Sequence, residues 1–250
     1  VLREGLNTLE IAVQDPSDTQ PIQRGKQVLD PGFIWYTTIS GIWQTVWLEF
    51  VPETYICSLK ITPNFDTDSV TLQVKANHPP STLRFKAEVL DDGELVAGGE
   101  AAAGEALTLF MKDPNPWSPE SPFLYDLTIR LFKDGEMMDQ IESYFGMRKY
   151  SLAPDGQGRL RFCLNNQPYF IYGPLDQGYW PDGLYTPPTD EAMRWEIEFI
   201  KKAGFNMLRK HIKVEPARYY AHCDRAGVVV WQDMVSGGIS PKPIWFVFAQ

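Results

Sequence analysis

Apolar and polar residues alternate over most of the first 145 positions, the two-residue period of half-buried strands. Leu9, Ile11 and Val13 alternate within residues 7–13, so the chain enters in the middle of β structure, and Asp15 to Asp18 forms a turn. Gly32 to Tyr36 leads through Ser40 and Gly41 into residues 42–51, whose aromatic and β-branched content predicts a further strand. Three strands in the first 52 residues are too few for an independent sandwich and predict part of a domain. From Glu53 the strands become short and regularly spaced, at 55–62, 70–76, 83–90, 106–111, 123–132 and 137–145. Asp91-Asp92-Gly93 and Lys133-Asp134-Gly135 are hairpin-turn signals between them. Six or seven strands over residues 53–148 predict an immunoglobulin-like β-sandwich without the Cys–Trp–Cys pattern of antibody domains. The prolines of residues 113–122 stiffen a loop, and Gly156 to Gly158 marks a turn.

After Gln167 the period changes. Pro168 to Tyr172 predicts a buried strand that opens into a long loop, residues 173–185. A helix follows, with Thr189 as N-cap, Asp190 and Glu191 in its first turn, Met193, Ile197 and Ile200 at helical spacing, and Gly204 at its end. Residues 206–212 form the next strand. Glu215-Pro216 starts a second helix, on which Tyr219, Cys223 and Ala226 share a face and which Gly227 ends; residues 228–231 are a third strand. Strand, helix, strand, helix, strand at this pitch means parallel crossover units, either a doubly wound sheet or the start of a (β/α)8 barrel. In both, ligands meet the carboxyl ends of the strands, which singles out Asp176, Gln177, Arg209, His211, Trp231 and Asp233. No glycine-rich phosphate loop follows the first strand, which argues against a nucleotide site.

Composition narrows the function. The net charge of −9 offers no basic stripe, so neither nucleic acid nor an anionic membrane surface is an expected partner. Cys57, Cys163 and Cys223 lack metal-ligand spacing and are expected to be buried thiols; no metal and no cofactor is implied. The eight tryptophans either fill cores or serve as stacking platforms for sugar rings. No run is apolar enough to span a bilayer, and the chain begins with neither a starter methionine nor a signal sequence, so its compartment is not legible.

Three sets of motifs in fixed order resemble glycoside hydrolase family 2, the clan of β-galactosidases, β-glucuronidases and β-mannosidases. Residues 40–49, Ser-Gly-Ile-Trp-Gln-Thr-Val-Trp-Leu-Glu, resemble the last strand of that family's amino-terminal jelly-roll domain. Residues 117–125, Trp-Ser-Pro-Glu-Ser-Pro-Phe-Leu-Tyr, and 145–149, Phe-Gly-Met-Arg-Lys, resemble markers of its immunoglobulin-like domain. Residues 166–170, 204–211 and 223–233 resemble the first three strands of its TIM barrel. The resemblance implies a partial jelly-roll at 1–52, a sandwich at 53–148 and the beginning of a catalytic barrel at 149–250.

Family members hydrolyse β-glycosides with retention, using an acid/base glutamate after an asparagine on the fourth strand and a nucleophilic glutamate near the seventh. Neither segment is present, and a whole barrel needs about 250 residues where fewer than about 90 follow Asn165. The chain is therefore expected to be a piece of an enzyme and inactive by itself. By resemblance Arg209 helps hold the active-site carboxylates, or else forms a structural ion pair, and His211 contacts the sugar, although its spacing departs by one residue from the β-galactosidase pattern. Trp231 and Asp233 contact sugar hydroxyls, or Trp231 fills the barrel interior. Asp176, Trp180 and Asp182 would wall a subsite, Asp182-Gly183 being otherwise a simple turn. Glu215, just before a proline, is read as helix entry. The partner implied is a carbohydrate, with self-association expected through an open sheet edge. The alternative is a non-catalytic carbohydrate-binding or adhesion module.

Overall fold

The computed structural model describes residues 4–78 and 82–237. Two short strands, β1 (Gln27–Val28) and β2 (Tyr36–Thr37), pair in parallel near the start. Residues 7–13, where alternation predicts a strand, and 42–51, where aromatic and β-branched content does, form none. Their side chains explain the difference: Leu9, Val46, Trp47, Leu48 and Phe50 are all exposed, so no sheet and no core receives them. Alternation marks a segment able to join a sheet, but a strand exists only where a neighbour takes its hydrogen bonds.

Seven strands follow: β3 (Ile56–Asn64), β4 (Ser69–Ala76), β5 (Leu83–Asp91), β6 (Glu94–Ala102), β7 (Ala106–Phe110), β8 (Tyr125–Lys133) and β9 (Glu136–Phe145). They build two antiparallel sheets, in the orders β3-β4-β7 and β6-β5-β8-β9. Val70, Leu72 and Val74 of one sheet meet Phe85, Ala87, Val89, Leu127, Ile129 and Leu131 of the other in a single buried cluster. Every second residue points inward, which is why the period in the sequence was informative. Both Asp-Gly turns have left-handed backbone at both central residues (Asp92 φ 48°, Gly93 φ 85°; Asp134 φ 50°, Gly135 φ 87°), the geometry that matches the twist of a two-residue hairpin. Strand β6 escapes the hydrophobic pattern because Ala97, Gly99 and Ala101 hold its inner positions; a Cβ on Gly99 would come within 2.9 Å of Leu109 Cδ2.

A third antiparallel sheet, β10 (Tyr150–Pro154), β11 (Leu160–Leu164) and β12 (Gln167–Pro168), leads to the parallel part. Pro168 to Tyr172 is not the parallel strand that its composition predicts. The chain instead enters the parallel sheet at β13 (Leu175–Asp176), beside β14 (Met207–Lys210) and then β15 (Val229–Gln232). Helices α1 (Asp190–Lys202) and α2 (Ala217–Ala226) cross between them. Thr189 caps α1 through Ala192 N at 3.1 Å, and Gly227 ends α2 with φ 71°. Leu208 packs with Met193, Ile197, Ile200, Tyr219 and Cys223 on the helix-covered face of the sheet. The opposite face carries Leu175, Arg209 and Trp231 in register and is open to solvent. Residues 238–250, part of the barrel-like segment in the sequence reading, lie outside those described.

Two expectations for single residues change. Cys57 is exposed, whereas Cys163 and Cys223 are buried. Glu215 is more than helix entry: it precedes the cap residue Pro216, is 3% exposed, and is tied to two lysines.

Candidate active site

Parallel strands end side by side, and along each of β14 and β15 successive residues project to opposite faces of the sheet, so residues two positions apart share a face at one rim. Arg209 and His211 go to the open face and Lys210 to the helix face. On the open face Arg209 grips Asp233, with Nε 3.0 and 3.2 Å from the two carboxylate oxygens and Nη2 2.8 Å from Oδ2. His211 Nδ1 lies 3.1 Å from the same Oδ2. The fork of a guanidinium suits this two-point grip. Trp231 stands beside Arg209 in register and is 36% exposed. Four of the five substrate-binding residues expected from the sequence are thus brought together at one rim.

Asp176, the fifth, lies on the other face. Its carboxylate takes a hydrogen bond from Lys210 Nζ, one from Tyr219 Oη at 3.0 Å and one from Gly178 N at 2.7 Å. Lys210 also reaches Glu215 Oε1 at 3.0 Å, and Lys213 meets the same oxygen at 2.9 Å. Lys213 further donates to the carbonyls of Gly178 (2.6 Å) and Tyr185 (2.8 Å). Both lysines are essentially inaccessible. Burial works against the Lys210 charge, yet Asp176 and Glu215 hold its pKa above the ordinary value. Lys213, with less compensation, is pushed down by burial. Glu196 on α1 is pushed up to about 7, by burial first and then by the charge of Asp176. The sequence hides this cluster, because Asp176 and Lys210 are far apart along the chain and buried lysines carry no pattern of their own.

The amino-terminal segment closes the same rim. Arg24 N and Gly25 N bond Ser236 O at 3.2 and 2.8 Å, Thr186 Oγ1 bonds Trp43 O at 2.8 Å, and Tyr36 stacks on Tyr179 with centroids 4.0 Å apart. Trp43 packs edge-on against Tyr185. Gly25 is required here: its backbone is left-handed at φ 61°, and a Cβ would sit 2.8 Å from Ile212 O. Ile212 itself adopts φ 44°, unusual for a β-branched residue, and such strain clusters at functional rims. Trp180 and Asp182 lie in the loop over this rim, where Trp180 N bonds Leu184 O at 2.7 Å and Gly183 turns against Thr186.

The sandwich is fastened to this unit from below. Trp117 is wholly buried, donates Nε1–H to Asp224 O at 2.8 Å, and lies under the Arg148 guanidinium at 4.5 Å. Arg148 and Tyr144 both reach the Asp224 carboxylate, at 2.7 and 3.1 Å. Gly227 passes so close to Pro119 that a Cβ would lie 2.5 Å from its carbonyl oxygen.

Among the described residues no helix is long and apolar enough to cross a membrane. Residues 54–148 match the family model described as glycosyl hydrolases family 2. A putative β-glucuronidase of Formosa agariphila is 27% identical over 93% of this chain and 28% of its own length. A β-galactosidase of Lactococcus lactis is 28% identical over 78% of the chain and 19% of its own. The chain thus spans less than a third of these curated relatives. The architecture, mostly β with few helices, is similar to that of a β-glycosidase from Bacteroides vulgatus (TM-score 0.65, 22% identity, 79% of this chain and 26% of that one). It is also similar to a β-glucuronidase of Bifidobacterium dentium complexed with coumarin-3-O-glucuronide (TM-score 0.63, 19% identity, 74% and 31%). The motifs of the sequence, the family model matched by residues 54–148 and these relatives all point to a likeness with glycoside hydrolase family 2.

Proposed function

We propose that these 250 residues are the central piece of a retaining exo-β-glycosidase that cleaves β-galactosides, β-glucuronides or β-mannosides. In this reading residues 1–52 are the end of a jelly-roll domain, 53–148 an immunoglobulin-like sandwich, and 149–250 the first part of a (β/α)8 catalytic barrel. The observation that carries it is the Arg209–Asp233–His211 cluster at the carboxyl ends of β14 and β15, with Trp231 beside it. Ligands of parallel α/β folds bind at this end of the strands.

The same cluster assigns the division of labour. Retaining hydrolysis needs two carboxyl groups about 5 Å apart, one free to attack and one free to donate a proton. Asp233 is held by Arg209 and His211, Asp176 by Lys210 and Tyr219, and Glu215 by two lysines. These three carboxylates are each tied to a cation and hold the site in shape, and in this reading the acid/base and the nucleophile come from elsewhere in the whole enzyme. Arg209, His211, Trp231 and Asp233 form one wall of the sugar pocket, and Asp176 supports that wall from behind.

The test is hydrolysis of nitrophenyl β-glycosides by the full-length protein that carries this chain, with the anomer of the released sugar followed by NMR. Release of the β-anomer first is expected. Inversion, or sugar binding without turnover by the full-length protein, would overturn the proposal, the latter in favour of a carbohydrate-binding module.

A further inference from the structure

A small cavity lies where the amino-terminal segment meets the strand ends, with Lys26, Tyr36, Gln177, Tyr179, His211 and Lys213 in its lining. Its volume is about 10 Å³, which admits one water molecule and no larger group. Two of the lining residues have a buried polar atom, Tyr179 Oη and Gln177 Oε1, without a hydrogen-bond partner among the described residues. His211 turns Nδ1 to Asp233 Oδ2 at 3.1 Å, so Nε2 is the polar atom its ring has left.

Buried polar groups without partners are costly and rare, and the bonding capacities of these groups decide what answers them. Gln177 Oε1 only accepts. The Asp233 carboxylate also only accepts, so His211 carries a proton on Nδ1, and in the neutral ring Nε2 is an acceptor. Tyr179 donates: burial, and then the neighbouring tyrosines Tyr185 and Tyr36, raise the pKa of its phenol and keep the proton on it. Lys26 is a second donor in the lining. Lys213 does not compete, because its three N–H bonds go to Glu215 and to the carbonyls of Gly178 and Tyr185. A metal cation here would face an ammonium, and a halide would face two acceptors. A water donates twice and accepts twice, so it satisfies both kinds of group at once.

We propose that one buried water occupies this cavity and bridges Tyr179 and Gln177 to Nε2 of His211, which makes Tyr179 a positioning residue for the wall formed by His211, Arg209 and Asp233. Asp233 fixes the imidazole from one side and the water from the other, and a bridging water does this nearly as well as a direct hydrogen bond. Tyr36, stacked on Tyr179 with centroids 4.0 Å apart, backs the phenol from the amino-terminal segment. That segment thus seats a wall residue without touching a ligand itself. The consequence for sugar binding rests on the glycosidase reading above; the water site does not.

Two measurements on the full-length protein test this. A high-resolution crystal structure should show one water within hydrogen-bond distance of Tyr179 Oη, Gln177 Oε1 and His211 Nε2. A cavity without density, or Tyr179 bonded directly to His211, would overturn the proposal. In kinetics on the nitrophenyl β-glycoside that wild type turns over best, Tyr179→Phe keeps the ring stack and removes the hydroxyl. It should raise KM by about three- to ten-fold, the worth of one neutral hydrogen bond, with kcat little changed. Partial misfolding would do the reverse, lowering kcat through loss of active molecules and leaving KM alone. In a His211→Ala background Tyr179→Phe should bring no further rise, because the group it positions is gone. An unchanged KM in Tyr179→Phe, or a rise of the same size without His211, would overturn the positioning role. Absence of turnover by wild type would sink the glycosidase reading, and the crystal structure would still decide the water site.

Discussion

Arg209 holds Asp233 by both carboxylate oxygens while the two differ sharply in exposure, the acid at 1% and the guanidinium at 37%. The acid depends on the pair far more than the base does. Arg209→Met would strand a buried carboxylate, whereas Asp233→Asn would leave a cation with access to water. Removing one partner of a buried pair is destabilising because the other stays desolvated. Arg209→Met should therefore cost about 2–3 kcal/mol in urea unfolding and Asp233→Asn about half of that. Equal costs, or none, would mean that water shields Asp233.

The latch between the sandwich and α2 gives a second expectation. Trp117, Arg148 and Asp224 interlock through an indole hydrogen bond, a stacked guanidinium and an ion pair. Trp117→Ala should cost about 3–5 kcal/mol. Asp224→Ala, a milder change, should loosen α2 while leaving the sandwich folded, since its core lies entirely within β3 to β9 and their loops. Limited proteolysis of Asp224→Ala should cut beyond Met147 and spare residues 54–147; early cuts within 70–132 would contradict it.

What the sequence disclosed and what it hid follow from the range of each interaction. Helix α1 was legible to the residue, because Thr189, Met193, Ile197 and Ile200 act within a few turns of one another. The sandwich was legible by its period, apart from β6, whose glycines bury no side chain. Residues 7–13 and 42–51 were misread since the alternation of the first and the β-branched and aromatic content of the second speak for a sheet that no described neighbour supplies. At the rim, strand ends pointed to Arg209, His211, Trp231 and Asp233. Lys210, Lys213 and the role of Glu215 stayed hidden because their pairings depend on the crossover. The motifs around Trp117, Arg148 and Asp224, noticed separately as family markers, proved to be one contact.

Glu196 supplies a pH dependence. Its folded pKa is raised from 4.5 to about 7, so folding favours the protonated form. The stability it contributes is fully present below pH 4.5 and is lost as the pH rises through 7. Glu196→Gln, which cannot ionise, should lack this loss. Relative to the variant, wild type should weaken by about 1–2 kcal/mol between pH 5 and pH 8, a value reduced for the partial exposure of the side chain. Parallel stability curves for the two proteins over that range would show that Glu196 is solvated.

Gly178 is predicted to be irreplaceable. Its φ is 67°, and a Cβ would lie 2.5 Å from Lys213 Cδ and 2.8 Å from Glu215 Oε1. Gly178→Ala combines a disfavoured backbone with pressure on a buried ion pair and should lower stability by about 2 kcal/mol or more. A melting temperature within a degree of wild type would mean that the loop moves away freely.

The central claim is that this chain builds one wall of a glycosidase pocket and carries neither catalytic carboxyl group. Its most direct test is the activity of purified residues 1–250 on nitrophenyl β-galactoside, β-glucuronide and β-mannoside. The account predicts release no faster than in buffer, with the full-length protein active on at least one of the three. Turnover by residues 1–250 that Asp233→Asn or Glu215→Gln abolishes would place the chemistry within this chain and contradict the claim.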